Sequence, residues 1–329
     1  MVRKLVGALA VVALVSGACG DGGGDATTLT PETSTTQPPA TTQPPATTAP
    51  AATTFVGADG VESVITDTSR IVSLNGDITE ILFALGLGDQ VVAVDVTTTF
   101  PEGTEDLPRI GFAQDLAPEP VLAFTPTLVI GDQLIAPSES IEQIRGAGVP
   151  VAIITTQVSI DGVAQKIEDV AAIAGAPDTG RQLAERVMAE IDEAKALVAE
   201  VEEPAAVAFL YSRGPGQIFL FGRGNVSQAM IEGAGALDVI SESGVAGVVP
   251  LTPEALVAAA PDVIILPASG VGALGGMEGV LALPGVAETP AGRDGTFLVY
   301  DDGFFLNLGP RTGEALVQLI TDLYPELGG

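Results

Sequence analysis

The 329-residue sequence has no histidine and no tryptophan, and it has a single cysteine, Cys19. Without histidine the chain lacks the side chain most often used as a general base near neutrality, and the commonest protein ligand for transition metals. Receptors for free zinc or manganese, which gather several imidazoles, are thereby set aside. One cysteine permits no internal disulfide. Basic residues are scarce: 13 Lys and Arg stand against 42 Asp and Glu, a formal net charge of −29. A surface of that sign repels nucleic-acid phosphates and anionic lipid headgroups. Aromatic residues make up only 4% of the chain, which argues against an aromatic-rich recognition face.

What is present is apolar. Hydrophobic residues are 47% of the chain and charged ones 17%, enough to build the cores of two ordinary domains. At the start, Arg3 and Lys4 precede an apolar run from Leu5 to Val15, followed by Ser16-Gly17-Ala18-Cys19. A positive start, a short apolar stretch and small residues describe a secretory signal over residues 1–18. The run is short for a membrane span. The segment resembles a bacterial lipobox, with Ser16 where leucine is usual. That resemblance implies a diacylated Cys19 that anchors the chain to the outer side of the cell membrane. The alternative is a plain signal peptide with an incidental cysteine. Residues 19–54, after Cys19 itself, are mostly Gly, Asp, Thr, Pro, Gln and Ala, with TTQPPA repeated. So few apolar side chains cannot offset the entropy of ordering, so this stretch reads as an extended tether.

From Phe55 the pattern changes. Apolar strands are expected at Arg70–Leu74, Val91–Val94, Leu128–Ile130 and Val149–Ile154, alternating with helices at Ile78–Leu87, Pro118–Phe124 and Ile141–Ala147. Asp77 is the expected N-cap of the first helix. This alternation predicts a parallel α/β layer over residues 55–177. Residues 178–203 read as one long helix: from Arg181 on they have no Gly or Pro, and they carry apolar residues at Leu183, Val187, Ile191, Ala194 and Val198. Beyond it, over residues 204–329, the α/β pattern restarts. Asp115–Gly131 and Pro250–Leu266 also resemble each other, each with Pro-Glu opening a short apolar helix before a β-branched strand. The expected fold is α/β: two Rossmann-like lobes bridged by one long helix.

RIVSLNGDITEILFALGLGDQVVAVD (Arg70–Asp95) resembles the opening of class III periplasmic binding proteins, which serve importers of cobalamin, siderophores and haem. Gly279–Leu316, with its TPAG and GPRT, is similar to the haem branch. The resemblance implies a ligand cleft between the lobes with little hinge motion, and as partners an ABC permease with its ATPase. Many haem-binding relatives carry Gly-Tyr-Met-Arg in the first lobe; here Gly111-Phe112-Ala113-Gln114 stands there, without a ligand oxygen. In the second lobe Tyr211-Ser212-Arg213 resembles the Tyr-x-Arg of actinobacterial haem receptors, implying Tyr211 as iron ligand with Arg213 in support. A phenolate is a known haem ligand, and a guanidinium nearby favours its charged form. The other reading of Tyr211 is a structural tyrosine at a strand end.

Phe112, Gln114, Arg223 and Arg311 complete the expected ligand-binding set, with Arg311 equally suited to cap the C-terminal helix region. Phe219, Phe304 and Phe305 are further candidates for apolar walls, or simply core. Tyr324 reads as packing. Glu119 and Glu254, the matched Pro-Glu positions, correspond to the glutamates that dock cobalamin-binding relatives onto their permease; Glu80 is a third candidate. The expected role is a lipoprotein that captures haem as cargo and not as a catalytic cofactor, the alternatives being a ferric siderophore or a corrinoid. A Rossmann-like enzyme is disfavoured: no GxGxxG follows the first strand, no GxSxG or metal cluster appears, and Lys166 and Lys195 sit in helices that read as solvent-facing. A signalling receptor is the remaining alternative.

Overall fold

The computed structural model describes residues 52–327 apart from Pro215. The expected signal 1–18, Cys19 and nearly all of the tether lie outside the described residues. Order begins at a hairpin, β1 (Thr53–Val56) against β2 (Glu62–Ile65), two residues before the expected onset.

The first lobe is built on four parallel strands: β3 (Ile71–Ser73), β4 (Val91–Val94), β5 (Leu128–Asp132) and β6 (Val151–Ile154), in the order β4-β3-β5-β6. Every residue of β3, β5 and β6 is buried, as in a parallel sheet covered on both faces. The second lobe holds β7 (Ala206–Ser212), β8 (Ile218–Phe221), β9 (Leu237–Asp238), β10 (Val248–Pro250), β11 (Val263–Pro267) and β12 (Phe297–Tyr300). Its order is β10-β8-β7-β11-β12, with β9 also on β7. The strands β9, β7, β11 and β12 run parallel, whereas β8 and β10 are antiparallel additions. In each sheet the chain first builds on one side of a central strand, then crosses to the other, so β3 and β7 are switch points.

Helix α1 (Gly76–Ala84) starts two residues earlier than expected, with Asn75 as N-cap, which leaves Asp77 inside the first turn. Helices α2 (Pro118–Leu122) and α3 (Ser138–Gly146) follow the expected segments closely. Helix α4 (Val163–Ile173) is the helix expected around Lys166, and it buries Val163, Ile167 and Val170 at helical spacing. Helix α5 (Pro177–Leu197) is the long bridging element, but it ends six residues short of Glu203. Glu200, Glu202 and Glu203 would crowd the negative end of the helix dipole, and Pro204 cannot continue the helix. One side of α5 packs on α4 of the first lobe, the other on the C-terminal helix Thr312–Leu323 of the second.

The α4–α5 contact is close enough to require glycine at position 180. A Cβ there would stand 2.2 Å from the Cβ of Ala171. Gly180→Ala gains about 1 kcal/mol of helix propensity but overpacks a rigid contact. A net loss of about 1–2 kcal/mol is expected in chemical denaturation. Adding Ala171→Gly should return most of it.

Candidate functional site

A cleft of about 610 Å³ lies between the two lobes. Its lining follows from the topology, because nearly every segment leaves the C-terminal end of a parallel strand. Asn75, Gly76 and Asp77 follow β3; Val96, Thr97 and Thr99 follow β4; Asp132 and Leu134 end or follow β5; Thr156, Gln157 and Val158 follow β6. From the second lobe come Tyr211 near the end of β7, Ala268 and Ser269 after β11, and Asp301 to Gly303 with Leu306 to Leu308 after β12. Open α/β sheets bind ligands at that end, beside the switch point, and here two such ends face each other.

The rim and the floor differ in chemistry. Phe112, Leu134 and Val158 are 55%, 59% and 43% exposed at the rim. The floor is polar and buried, and its centre is an ion pair: Lys166 Nζ donates to Asp77 Oδ2 at 2.6 Å and to the Leu308 carbonyl oxygen at 2.8 Å. Lys166 is 3% exposed, so its expected solvent-facing position is corrected. It lies on the buried face of α4 with Val163, Ile167 and Val170, not on the solvent-facing side expected of that helix. Lys195 is half-buried and pairs with Asp161. Asp132 accepts from the Leu134 backbone N–H, and burial pushes its carboxyl above the ordinary carboxylate range, with the charge on Asp77 adding to the push.

A strap from Asp301 to Arg311 carries the second lobe across to the first. The Arg311 Nε and one terminal nitrogen donate to the two carboxylate oxygens of Glu80, each at 3.0 Å. The guanidinium also lies 3.6 Å from the centroid of the Phe100 ring. Thr99 Oγ1 donates to Asp301 at 3.2 Å. Gly76 sits where the lobes touch, since a Cβ there would stand 2.8 Å from the Thr97 carbonyl oxygen and 3.2 Å from Asn307.

Of the expected ligand residues, Tyr211, Phe112 and Gln114 line the cleft. Arg213 is exposed beside it, with its guanidinium carbon 5.5 Å from the Tyr211 ring centroid. Arg223 is turned to the Ser241 carbonyl and Arg311 is held by Glu80, so neither guanidinium lines the cleft. Glu80 is 3% exposed, which corrects its expectation as a docking residue: a buried, bidentately paired carboxylate presents nothing to a partner. Phe305 belongs to the core, stacked on Phe209 and Tyr300, and Phe219 and Phe304 do not line the cleft. Tyr300 donates to Asp322 at 2.6 Å; burial and that carboxylate push its phenol well above the usual range. The Tyr324 hydroxyl is held by Ala205 N–H and the Gly235 carbonyl, which makes it the packing residue expected. Glu119 and Glu254 are exposed in the first turns of their short helices.

The model of the periplasmic binding protein family matches residues 71–303. The chain belongs to that family. Among solved periplasmic binding proteins it is similar to the heme-binding protein RhuT from Roseiflexus sp. RS-1, in apo form. The two are 44% identical with a TM-score of 0.77, over 79% of this chain and 100% of that one. The heme-binding protein HmuT is 37% identical with a TM-score of 0.78, over 83% of this chain and 90% of that one. A substrate-binding lipoprotein of an ABC transporter from Bacillus subtilis, YvrC, is 27% identical over 79% of this chain and 81% of its own length. The fold is that of the class III periplasmic binding proteins, two α/β lobes joined by a long helix.

Behind the cleft loop, Asp95 is 1% exposed. Burial pushes its carboxyl up to about 6, against hydrogen bonds from Thr97 and Thr98 that favour the ionised form. The folded state therefore keeps a proton that the unfolded chain, near 3.8, has already released. This contribution to stability is complete below about pH 4 and is lost as pH rises through 6, a change of up to about 3 kcal/mol. Asp95→Asn should flatten that part of the pH–stability curve, measured as denaturation midpoints from pH 4 to 7 relative to the unsubstituted protein.

Proposed function

We propose that the chain captures haem in the interlobe cleft and delivers it to the permease of an ABC importer. The observation that carries this reading is Tyr211. It is the one tyrosine of three in the cleft lining, and no described residue bonds its hydroxyl. The guanidinium of Arg213 lies beside the ring, and phenolate is a haem ligand type. Phe112, Leu134, Val158 and Val96 supply apolar surface for the faces of a macrocycle. Among the solved relatives, HmuT has been studied with a tyrosine, or the arginine two positions beyond it, replaced by alanine; that spacing is the spacing of Tyr211 and Arg213. Gln114 stands at the cleft as a neutral polar contact, while Arg223 and Arg311 act on the protein rather than on the ligand.

In the same reading Cys19 carries a lipid anchor that holds the protein on the outer side of the cell membrane, and residues 19–54 are its tether. Among the described residues no helix is long and apolar enough to cross a membrane. Glu119 and Glu254 dock the two lobes onto basic residues of the permease. The role is binding and delivery, not catalysis.

Titration of the purified protein with haem, followed by absorbance, should give a saturable Soret shift and a phenolate-to-iron charge-transfer band. Tyr211→Phe should abolish that band and weaken binding at least about tenfold. No saturable shift in the unsubstituted protein would sink the haem assignment. For docking, Glu119→Lys with Glu254→Lys should leave the titration unchanged and cut importer-dependent haem uptake by cells; unchanged uptake refutes the docking role.

A further inference from the structure

The cation of the cleft floor has no part in that reading. The buried ammonium of Lys166 has three N–H donors, of which Asp77 takes one and the Leu308 carbonyl another. No described residue takes the third, although Lys166 lines the cleft. A buried charged donor without an acceptor is costly, and an incoming acceptor removes that cost.

The remaining charged groups of the lining are carboxylates, and each is already engaged by the fold. Asp77 holds Lys166. Asp301 accepts from the Phe304 backbone N–H at 3.0 Å and from Thr99. Asp302 accepts from the Ser269 backbone N–H at 3.1 Å and from its hydroxyl. Asp132 accepts from Leu134, and its burial favours the neutral acid. A negative group entering the cleft is thus opposed along most of the lining and attracted at one point.

We infer that Lys166 receives one carboxylate of the cargo and that a second carboxylate, where the cargo has two, stays at the mouth in water. The inference deepens the haem reading and rests on it. One free donor serves one oxygen, and no arginine lines the cleft to serve another. Burial sets the direction: Gly76, Asp132, Lys166 and Leu308 are the covered end, while Phe112 and Leu134 are the open one. A macrocycle held by Tyr211 then lies with its apolar faces against the rim and one acidic corner on the floor. Lys166 is on these grounds a specificity-determining residue for acid-bearing rings.

The test compares haem with its monomethyl and dimethyl esters in Soret titrations of the purified protein. The monoester should bind within about threefold of haem, because turning the ring over presents whichever acid remains; the diester should bind at least about tenfold more weakly, the loss of one charge-assisted bond. Lys166→Met alone strands Asp77 and risks the fold, so the variant is Asp77→Asn with Lys166→Met, which removes both charges together. In it the penalty on the diester should vanish while the charge-transfer band of Tyr211 persists. Equal binding of haem and diester by the unsubstituted protein overturns the inference and leaves the haem reading intact. A monoester as weak as the diester, or a penalty that survives in the double variant, also overturns it. If none of the three binds saturably, the haem reading fails and takes this inference with it.

Discussion

Asp77 and Glu80 stand one helical turn apart on α1, and the cations they hold come from different parts of the chain. Lys166 comes from α4 of the same lobe but also reaches the Leu308 carbonyl of the other. Arg311 comes wholly from the other lobe. One turn of one helix therefore fixes the strap that carries the second lobe across the cleft floor. Neither pair need add net stability, since desolvating both ions offsets most of their attraction. Their worth is positional. Breaking either one strands a charge at a cost of about 3–5 kcal/mol, so the strap has one arrangement and alternatives are expensive. The Phe100 ring against the Arg311 guanidinium narrows the choice further, because a planar fork both stacks and pairs where an ammonium would do only one.

Around that fixed line the rest is consequence. The switch strands β3 and β7 aim their C-terminal ends at the strap from the two sides, so the cleft is lined by loops whose bases are anchored in fully buried sheet. Helix α5 sets the distance between the sheets by packing on α4 and on the C-terminal helix. The Asn307 side chain against Gly76 and the Arg311 pairing with Glu80 set it again on the cleft side. Two independent ties on opposite faces of the junction leave little freedom for a hinge.

Much of this fold was legible in the sequence, because buried parallel strands announce themselves as short β-branched runs between glycines and prolines. The strand at Val91–Val94 stands where that pattern put it, and β5 and β6 lie on the expected Leu128–Ile130 and Val149–Ile154. The helix around Lys166 was legible but its buried face was not, because Gln165, Glu168 and Asp169 make the segment look solvated. The helical spacing of Val163, Ile167 and Val170 was the missed signal. Without it Lys166 falls on the wrong side, since a lysine's direction is decided by which face of its helix is buried. Tyr211, Phe112 and Gln114 were legible as cleft residues through the family motif and through strand ends. The arginines were not. Glu80 and Arg311 are 231 residues apart, and no local pattern records that a long-range carboxylate has already claimed a guanidinium.

The same economy governs the outside of the molecule. Many of the few cations point inward or along the backbone: Arg70 serves the Phe124 and Thr125 carbonyls, and Arg109 the carbonyls of Asp95, Thr98 and Thr104. With 42 acidic side chains against 13 basic ones in the sequence, the molecule carries a large net negative charge. Neighbouring copies brought close together would repel one another at low ionic strength. At physiological salt, where the screening length is about 8 Å, that repulsion reaches little beyond contact. The ionic strength of the surroundings thus sets how densely such molecules can be packed side by side, independently of anything that happens in the cleft.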